Sequence, residues 1–109
     1  MNESRLEKLL SFYNANESDS FIIFAIAKEY ENIERFDKAL KYYLELKEKD
    51  NDYVGLYYHL GKLYEIIREE RLALSTYQEG LDIAKSQKDF HALSELNNAK
   101  MNLELQLGN

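Results

Sequence analysis

His59, His91 and twenty carboxylates are the groups of this chain that could do acid–base or metal chemistry. Such chemistry needs those groups at hydrogen-bond or ligand spacing. His59 and His91 belong to different predicted helices. The chain has no close His pair, no cysteine and no glycine-rich phosphate loop. His91 reads as a surface residue near the start of the last helix, and His59, beside Tyr58, as a hydrogen-bonding group. The acids Glu29, Glu31, Glu69 and Glu70 read as solvated helix faces. The expectation is a non-catalytic chain with no cofactor and no metal.

A second pattern could do recognition chemistry instead. Phe24 precedes Lys28 by one helical turn, and Tyr58 precedes Lys62 by the same step. On a helix each aromatic then stands over a lysine, offering apolar area beside a donor, as a grip on a peptide needs. Glu31 and Glu65 follow the two lysines at i+3. They leave open the other reading, in which each lysine pairs with its own helix and the aromatics only fill a wall.

One offset relates these two pairs, carrying Phe24 to Tyr58 and Lys28 to Lys62, and it relates much else. Segments 20–53 and 54–87 agree at Lys28/Lys62, Tyr30/Tyr64, Glu31/Glu65, Ile33/Ile67, Ala39/Ala73, Leu40/Leu74, Tyr43/Tyr77 and Glu45/Glu79. Size is kept at Ile26/Leu60 and Ala27/Gly61. Small and aromatic residues recur at spacings of three and four, which marks one helix face followed by another. Short polar breaks near Glu34–Asp37 and Arg68–Arg71 require neighbouring helices to fold back antiparallel. Asn16 and Asp50, related by the same offset, are predicted as helix N-caps. The pattern predicts six helices, at about 3–14, 17–33, 36–49, 51–67, 70–86 and 89–106. Proline is absent and glycine scarce, so nothing in the composition breaks them.

Totals narrow the partners. The net charge is −6, and no cluster of Lys and Arg is free of acids, which argues against nucleic acid and anionic membrane surfaces. The longest apolar run, FIIFAIA at 21–27, is far shorter than the roughly 20 residues of a membrane span. MNESRLEKLLSFY mixes acids with bases and has no long apolar core, so it does not read as a signal peptide. Without cysteines the chain needs no oxidising compartment. It reads as a soluble cytoplasmic protein of one domain, 1–109.

Ile23, Ile26, Ala27, Tyr30, Ala39 and Tyr43, then Tyr57, Leu60, Gly61, Tyr64, Ala73 and Tyr77, resemble the tetratricopeptide repeat, a helix–turn–helix unit of about 34 residues. The next family position, usually small, is Leu46 in one copy and Gly80 in the other. Proline, frequent at the family's repeat boundary, is replaced by Asn51 and Lys85. The resemblance implies an all-α fold of antiparallel hairpins stacked as a short right-handed solenoid. Its parts would be an N-terminal packing helix at 2–15, repeats at 20–53 and 54–87, and a C-terminal capping helix at 88–107. It implies close packing at Ala27, Tyr30, Ala39, Tyr43, Gly61, Tyr64, Ala73 and Tyr77. It also implies a concave groove for a peptide or protein segment, which would hold Phe24, Lys28, Tyr58, His59, Lys62 and Glu65. One branch of the family clamps acidic chaperone tails with Lys, Arg and Asn. The matching positions here are Phe24, Lys28, His59, Asp89 and Leu93, of which only Lys28 fits, so that ligand is not expected.

Two expectations remain. Ala27 and Gly61 should face a partner helix, with Ala39 and Ala73 opposite. Gly61→Leu should then destabilise the fold markedly and Gly61→Ala be nearly neutral. In the last helix Ala92, Leu96, Ala99 and Leu103 form a core stripe, while Leu93, Met101 and Leu105 lie off it beside Phe90. These off-stripe residues either widen the core face or serve self-association, as in a homodimer or assembly subunit.

Overall fold

A chain without proline folds as helices joined by short turns. The computed structural model describes residues 2–108, and among them are six α-helices and no strand. They are α1 (Asn2–Ala15), α2 (Ser20–Asn32), α3 (Phe36–Lys49), α4 (Gly55–Ile66), α5 (Glu70–Gln87) and α6 (Phe90–Gln106). Contacts divide them into two units, one ending at Tyr53 and one beginning at Val54.

In the first unit α2 and α3 form an antiparallel hairpin. Ile23, Ile26 and Ala27 of α2 and Ala39, Tyr43 and Leu46 of α3 are fully buried. Each large side chain among them contributes about 1.5–3 kcal/mol by leaving water. α1 lies against this hairpin in a different way. None of its residues from Arg5 to Ala15 is buried. Polar ties hold it: Arg5 Nε lies 3.2 Å from Glu29, and the Tyr13 hydroxyl donates to Glu45 at 2.7 Å. Tyr13 also sets its ring edge against Tyr42, centroids 5.5 Å apart, and Tyr42 stacks on Tyr30 at 5.7 Å. Glu29 is therefore not a solvated acid. It is only 8% exposed, and it meets Arg5 where the second repeat has the fully buried Leu63.

In the second unit α4 and α5 repeat the hairpin, and α6 packs on both. Leu60, Leu63, Ala73, Tyr77 and Ala84 are fully buried; Leu96, Ala99 and Leu103 are the buried face of α6. Gly80 makes the three-helix contact. A methyl there would lie 2.5 Å from Tyr57 Cβ and 3.0 Å from Leu96 Cδ1, so only a bare backbone lets α4 and α6 reach α5 at that point.

Gly61 corrects one expectation. A methyl on it would fall 2.6 Å from Cδ1 and 2.7 Å from Cζ of Tyr77, and closer still to Cε1. The group nearest this glycine is thus a buried ring rather than Ala73, and an alanine here requires that ring to shift. In the first repeat Ala27 carries its methyl at the matching position, fully buried.

The turns explain where the hairpins end. Glu34 and Arg68, at matching places in the two repeats, have φ of 59° and 67°. After each, a backbone N–H reaches back to the last turn: Arg35 to Tyr30 O at 2.9 Å, and Glu69 to Tyr64 O at 2.8 Å. These bonds, with Glu34 to Glu31 O and Arg68 to Glu65 O, are Schellman caps that close the orphan carbonyls. Lys88, φ 57°, ends α5 in the same way.

Helix starts differ from expectation. Asp19, not Asn16, caps α2, accepting from Ile22 N at 3.2 Å. Asn16 binds Ser18 instead. Asp50 ends α3 rather than starting α4, and its carboxylate accepts from Ser20 Oγ at 2.6 Å. The chain then turns through 51–54, and α4 begins at Gly55 behind Val54, with no side-chain cap. Tyr53 stays with the first unit because its ring packs on Phe24, centroids 5.4 Å apart.

Candidate functional site

α2 and α4 are each buried along one face, which leaves Phe24 and Lys28 on α2 and Tyr58, His59, Lys62 and Glu65 on α4 half-exposed. Each set belongs to one unit and is described within it.

On α4 the predicted pair exists. Lys62 Nζ sits 5.8 Å from the centroid of the Tyr58 ring, within reach of a cation–π contact. The same ammonium is 4.0 Å from Glu65. An exposed pair at that distance contributes little, at most about 1 kcal/mol. His59 meets Tyr58 edge to face, centroids 5.4 Å apart. Tyr58, His59, Lys62 and Glu65 are thus one contiguous patch. The lysine is thus over its aromatic and beside its glutamate at once.

On α2 the pair is arranged differently. Phe24 is drawn toward α3, at 6.2 Å from Tyr43 and 5.4 Å from Tyr53. Phe24 and Tyr53 form a wall of two half-exposed rings over the buried Tyr43, with Lys28 one turn further along.

The carboxylates have a structural cause that the spacing does not reveal. Tyr43 of α3 donates its hydroxyl to Glu31 Oε1 at 2.7 Å, and Tyr77 of α5 donates to Glu65 Oε2. The same bond recurs one period on. It joins the buried tyrosine of the second helix to the glutamate that ends the outward face of the first. Burial, then the bond to Glu31, pushes the Tyr43 hydroxyl well above the ordinary tyrosine value. Burial and the bond to Glu65 do the same for Tyr77. Tyr13 is raised chiefly by its bond to Glu45. Glu31 and Glu65 are therefore anchored acceptors rather than solvated acids. The matched pairs Glu31/Glu65 and Tyr43/Tyr77 in the repeat alignment carry this signal. Each glutamate and its tyrosine lie on either side of a turn, and helical periodicity does not connect across one.

The remaining candidates fall elsewhere. Ala27, Ala39, Tyr43, Gly61, Tyr64, Ala73 and Tyr77 are buried; Tyr30 is half-buried in its stack on Tyr42. Met101 and Leu105 are exposed on α6. Leu93 turns toward α5 and lines a cleft of about 280 Å3 with Gln78, Leu81, Asp82, Lys85 and Asn97. His91 is exposed, and so is Glu69, while Glu70 is half-buried at the start of α5. An apolar hollow of about 390 Å3 lies between α1 and α2, lined by Phe12, Ala15, Asn16, Asp19 and Ile22, and none of the predicted groove residues lines it. Among the described residues no three His, Cys, Asp or Glu side chains converge as a metal site, and no helix is long and apolar enough to cross a membrane.

No family model and no curated protein matches the chain. Solved structures do. A tetratricopeptide repeat domain protein from Salinibacter ruber, determined in solution, is 42% identical over 79% of this chain and 87% of its own, with a TM-score of 0.76. The type III secretion translocator chaperone SycD of Yersinia enterocolitica is 12% identical, covering 99% of this chain and 75% of its own, TM-score 0.90. PcrH, solved in complex with the chaperone binding region of PopD, is 9% identical, covering 96% and 80%, TM-score 0.89. These last two share the fold alone.

Proposed function

We propose a function from one premise: this chain belongs to the tetratricopeptide-repeat family. It is a non-catalytic interaction module that binds a peptide or protein segment, with the outward face of α4 as the leading surface. The observation that carries this reading is the α4 patch. Tyr58, His59 and Lys62 stand half-exposed around a glutamate whose position is set from the core by Tyr77. Such a patch offers ring faces for apolar or cationic side chains, ammonium and imidazole donors for backbone carbonyls, and a fixed carboxylate acceptor. Its geometry is held before any ligand arrives, which lowers the ordering cost of binding. On α2 the half-exposed rings of Phe24 and Tyr53 offer apolar area, with Lys28 as donor. The PcrH complex, in which a protein of this fold holds a segment of PopD, supports a polypeptide as the ligand.

The test is selection of a displayed random-peptide library on the immobilised protein. Selected peptides should lose at least about tenfold in affinity on Tyr58→Ala and on Lys62→Glu, roughly 1.4 kcal/mol each, with a smaller loss on Lys28→Glu. Peptides that bind all three variants as well as the parent would place the binding surface elsewhere.

A further inference from the structure

α6 is apolar on two faces. Leu96, Ala99 and Leu103 are buried against α4 and α5. Away from this core face, Phe90, Ser94, Asn97, Met101 and Leu105 follow at steps of four, three, four and four, which is one stripe of a helix, and Asn97 also borders the cleft beside α5. Phe90 is 71% exposed, Met101 49% and Leu105 67%. None of the five residues is charged, in a chain where 31% of residues are. A stripe that combines an aromatic, a methionine and a leucine without charge has the composition of an interface centre.

The order of residues indicates the occupant. Reversing the stripe about the Asn97–Asn98 peptide places Phe90 on Leu105 and Ser94 on Met101. We infer that this face binds the same face of a second copy, the two α6 helices running antiparallel about a two-fold axis at the Asn97–Asn98 peptide. Large then meets large at both ends, and the long methionine lies over a serine, as knobs over small residues require. Each contact occurs twice, as a two-fold interface demands. At the axis the asparagine amides bond each other and set the register, since a slip would bury them against apolar side chains. None of the stripe residues belongs to the α4 patch, and the inference does not depend on that patch's role. A contact about 25 Å long is small for a dimer, so the association is weak and depends on concentration.

Sedimentation of the full chain up to ~1 mM tests this. The mean mass should rise with concentration. Leu105→Glu and Met101→Glu, both at exposed positions, should each weaken the dimer at least about tenfold without loss of helix content. The register has its own test, because the chain has no cysteine. Oxidised Asn97→Cys should give a disulfide-linked dimer, since the axis brings the two sulfurs within bonding reach. Asn102→Cys, off the stripe, should not. A protein that stays monomeric to that concentration overturns the inference. So does a dimer indifferent to both glutamates, or one in which Asn102→Cys links as readily as Asn97→Cys.

Discussion

Gly61→Ala is the change for which helix propensity and packing give opposite signs. Alanine in place of glycine in a helix interior is worth about 1 kcal/mol in favour of the fold. Against it stands the Tyr77 ring. That ring crosses α4 over position 61 and ends at Glu65, one turn on, where its hydroxyl donates. A methyl at 61 would sit 2.6–2.7 Å from two ring carbons, and ordinary contact is about 3.5–4 Å. The ring must therefore move by about 1 Å to restore ordinary contact. Tyr77 is fully buried, so its neighbours move too, at a typical overpacking cost of about 1–3 kcal/mol. The shift also stretches a bond to a carboxylate, worth about 1.5–3 kcal/mol if lost. The balance is a net destabilisation of about 1–3 kcal/mol.

Urea unfolding followed by helical circular dichroism reads this directly. With a slope of about 2 kcal/mol per molar, the midpoint should fall by roughly 1 M. Adding Tyr77→Leu should make the Gly61→Ala change neutral or favourable, a coupling of at least about 1 kcal/mol between positions in contact. A Gly61→Ala midpoint at or above the parent's would refute the reasoning, because propensity would then outweigh a contact that the ring could relieve freely.

Further outcomes follow from the same contacts. Tyr43 and Tyr77 have hydroxyls held above the ordinary value in the folded state, so their contribution is complete below about pH 10 and is lost as pH rises beyond it, by up to about 2.7 kcal/mol per pH unit; absorbance at ~295 nm should show them ionising only with unfolding, and their titration in the folded protein at the ordinary value would contradict this. Arg68→Gly relieves a left-handed backbone at the α4–α5 turn and should raise stability by about 1 kcal/mol, whereas a lower melting temperature would mean that the arginine side chain matters more than its φ. Glu29→Leu copies the second repeat's Leu63 and leaves Arg5 in solvent, so stability should stay within about 1 kcal/mol of the parent; a loss above about 2 kcal/mol in urea would show the Arg5–Glu29 pair to be a net support of α1.

The helices and their faces are legible because the repeat period and the spacings of three and four are properties of single positions. Ala27, Gly61, Tyr43 and Tyr77 are identifiable as packing residues on that ground alone. The caps are less legible. Asn16, Asp19 and Asp50 are all competent N-caps by residue type, and the choice among them depends on tertiary partners. Ser20 claims Asp50, and Tyr53 holds the following turn against Phe24. Glu29 reads as solvated and is not, because burial of an acid depends here on Arg5, a cation distant in sequence on a helix outside both repeats. The patch on α4 is visible as Tyr58 over Lys62. What fixes it, the Tyr77–Glu65 bond, is not visible, because a hydrogen bond between two helices has no signature within either.

Differences between the two repeats are as informative as their identities. Where both units make the same contact the residues agree, as with Tyr43–Glu31 and Tyr77–Glu65. Where the dressing helix differs they diverge. α1 meets its hairpin through Arg5 and Tyr13, and position 29 is a charged acceptor. α6 meets its hairpin through Leu96, Ala99 and Leu103, and position 80 is a glycine that admits Leu96 to the α5 backbone. The first attachment leaves every described side chain of α1 from Arg5 onward at least partly exposed, and the second is a buried apolar one with no room for a single methyl at position 80. Removing one methylene from α6's core face should therefore cost more than removing the Tyr13 hydroxyl from α1, because close packing transmits a lost contact to its neighbours and a part-exposed hydrogen bond does so less. On that argument the second unit is the rigid one. The patch of Tyr58, His59 and Lys62, which lies on it, is then better placed than the α2 wall to hold a ligand in one fixed pose.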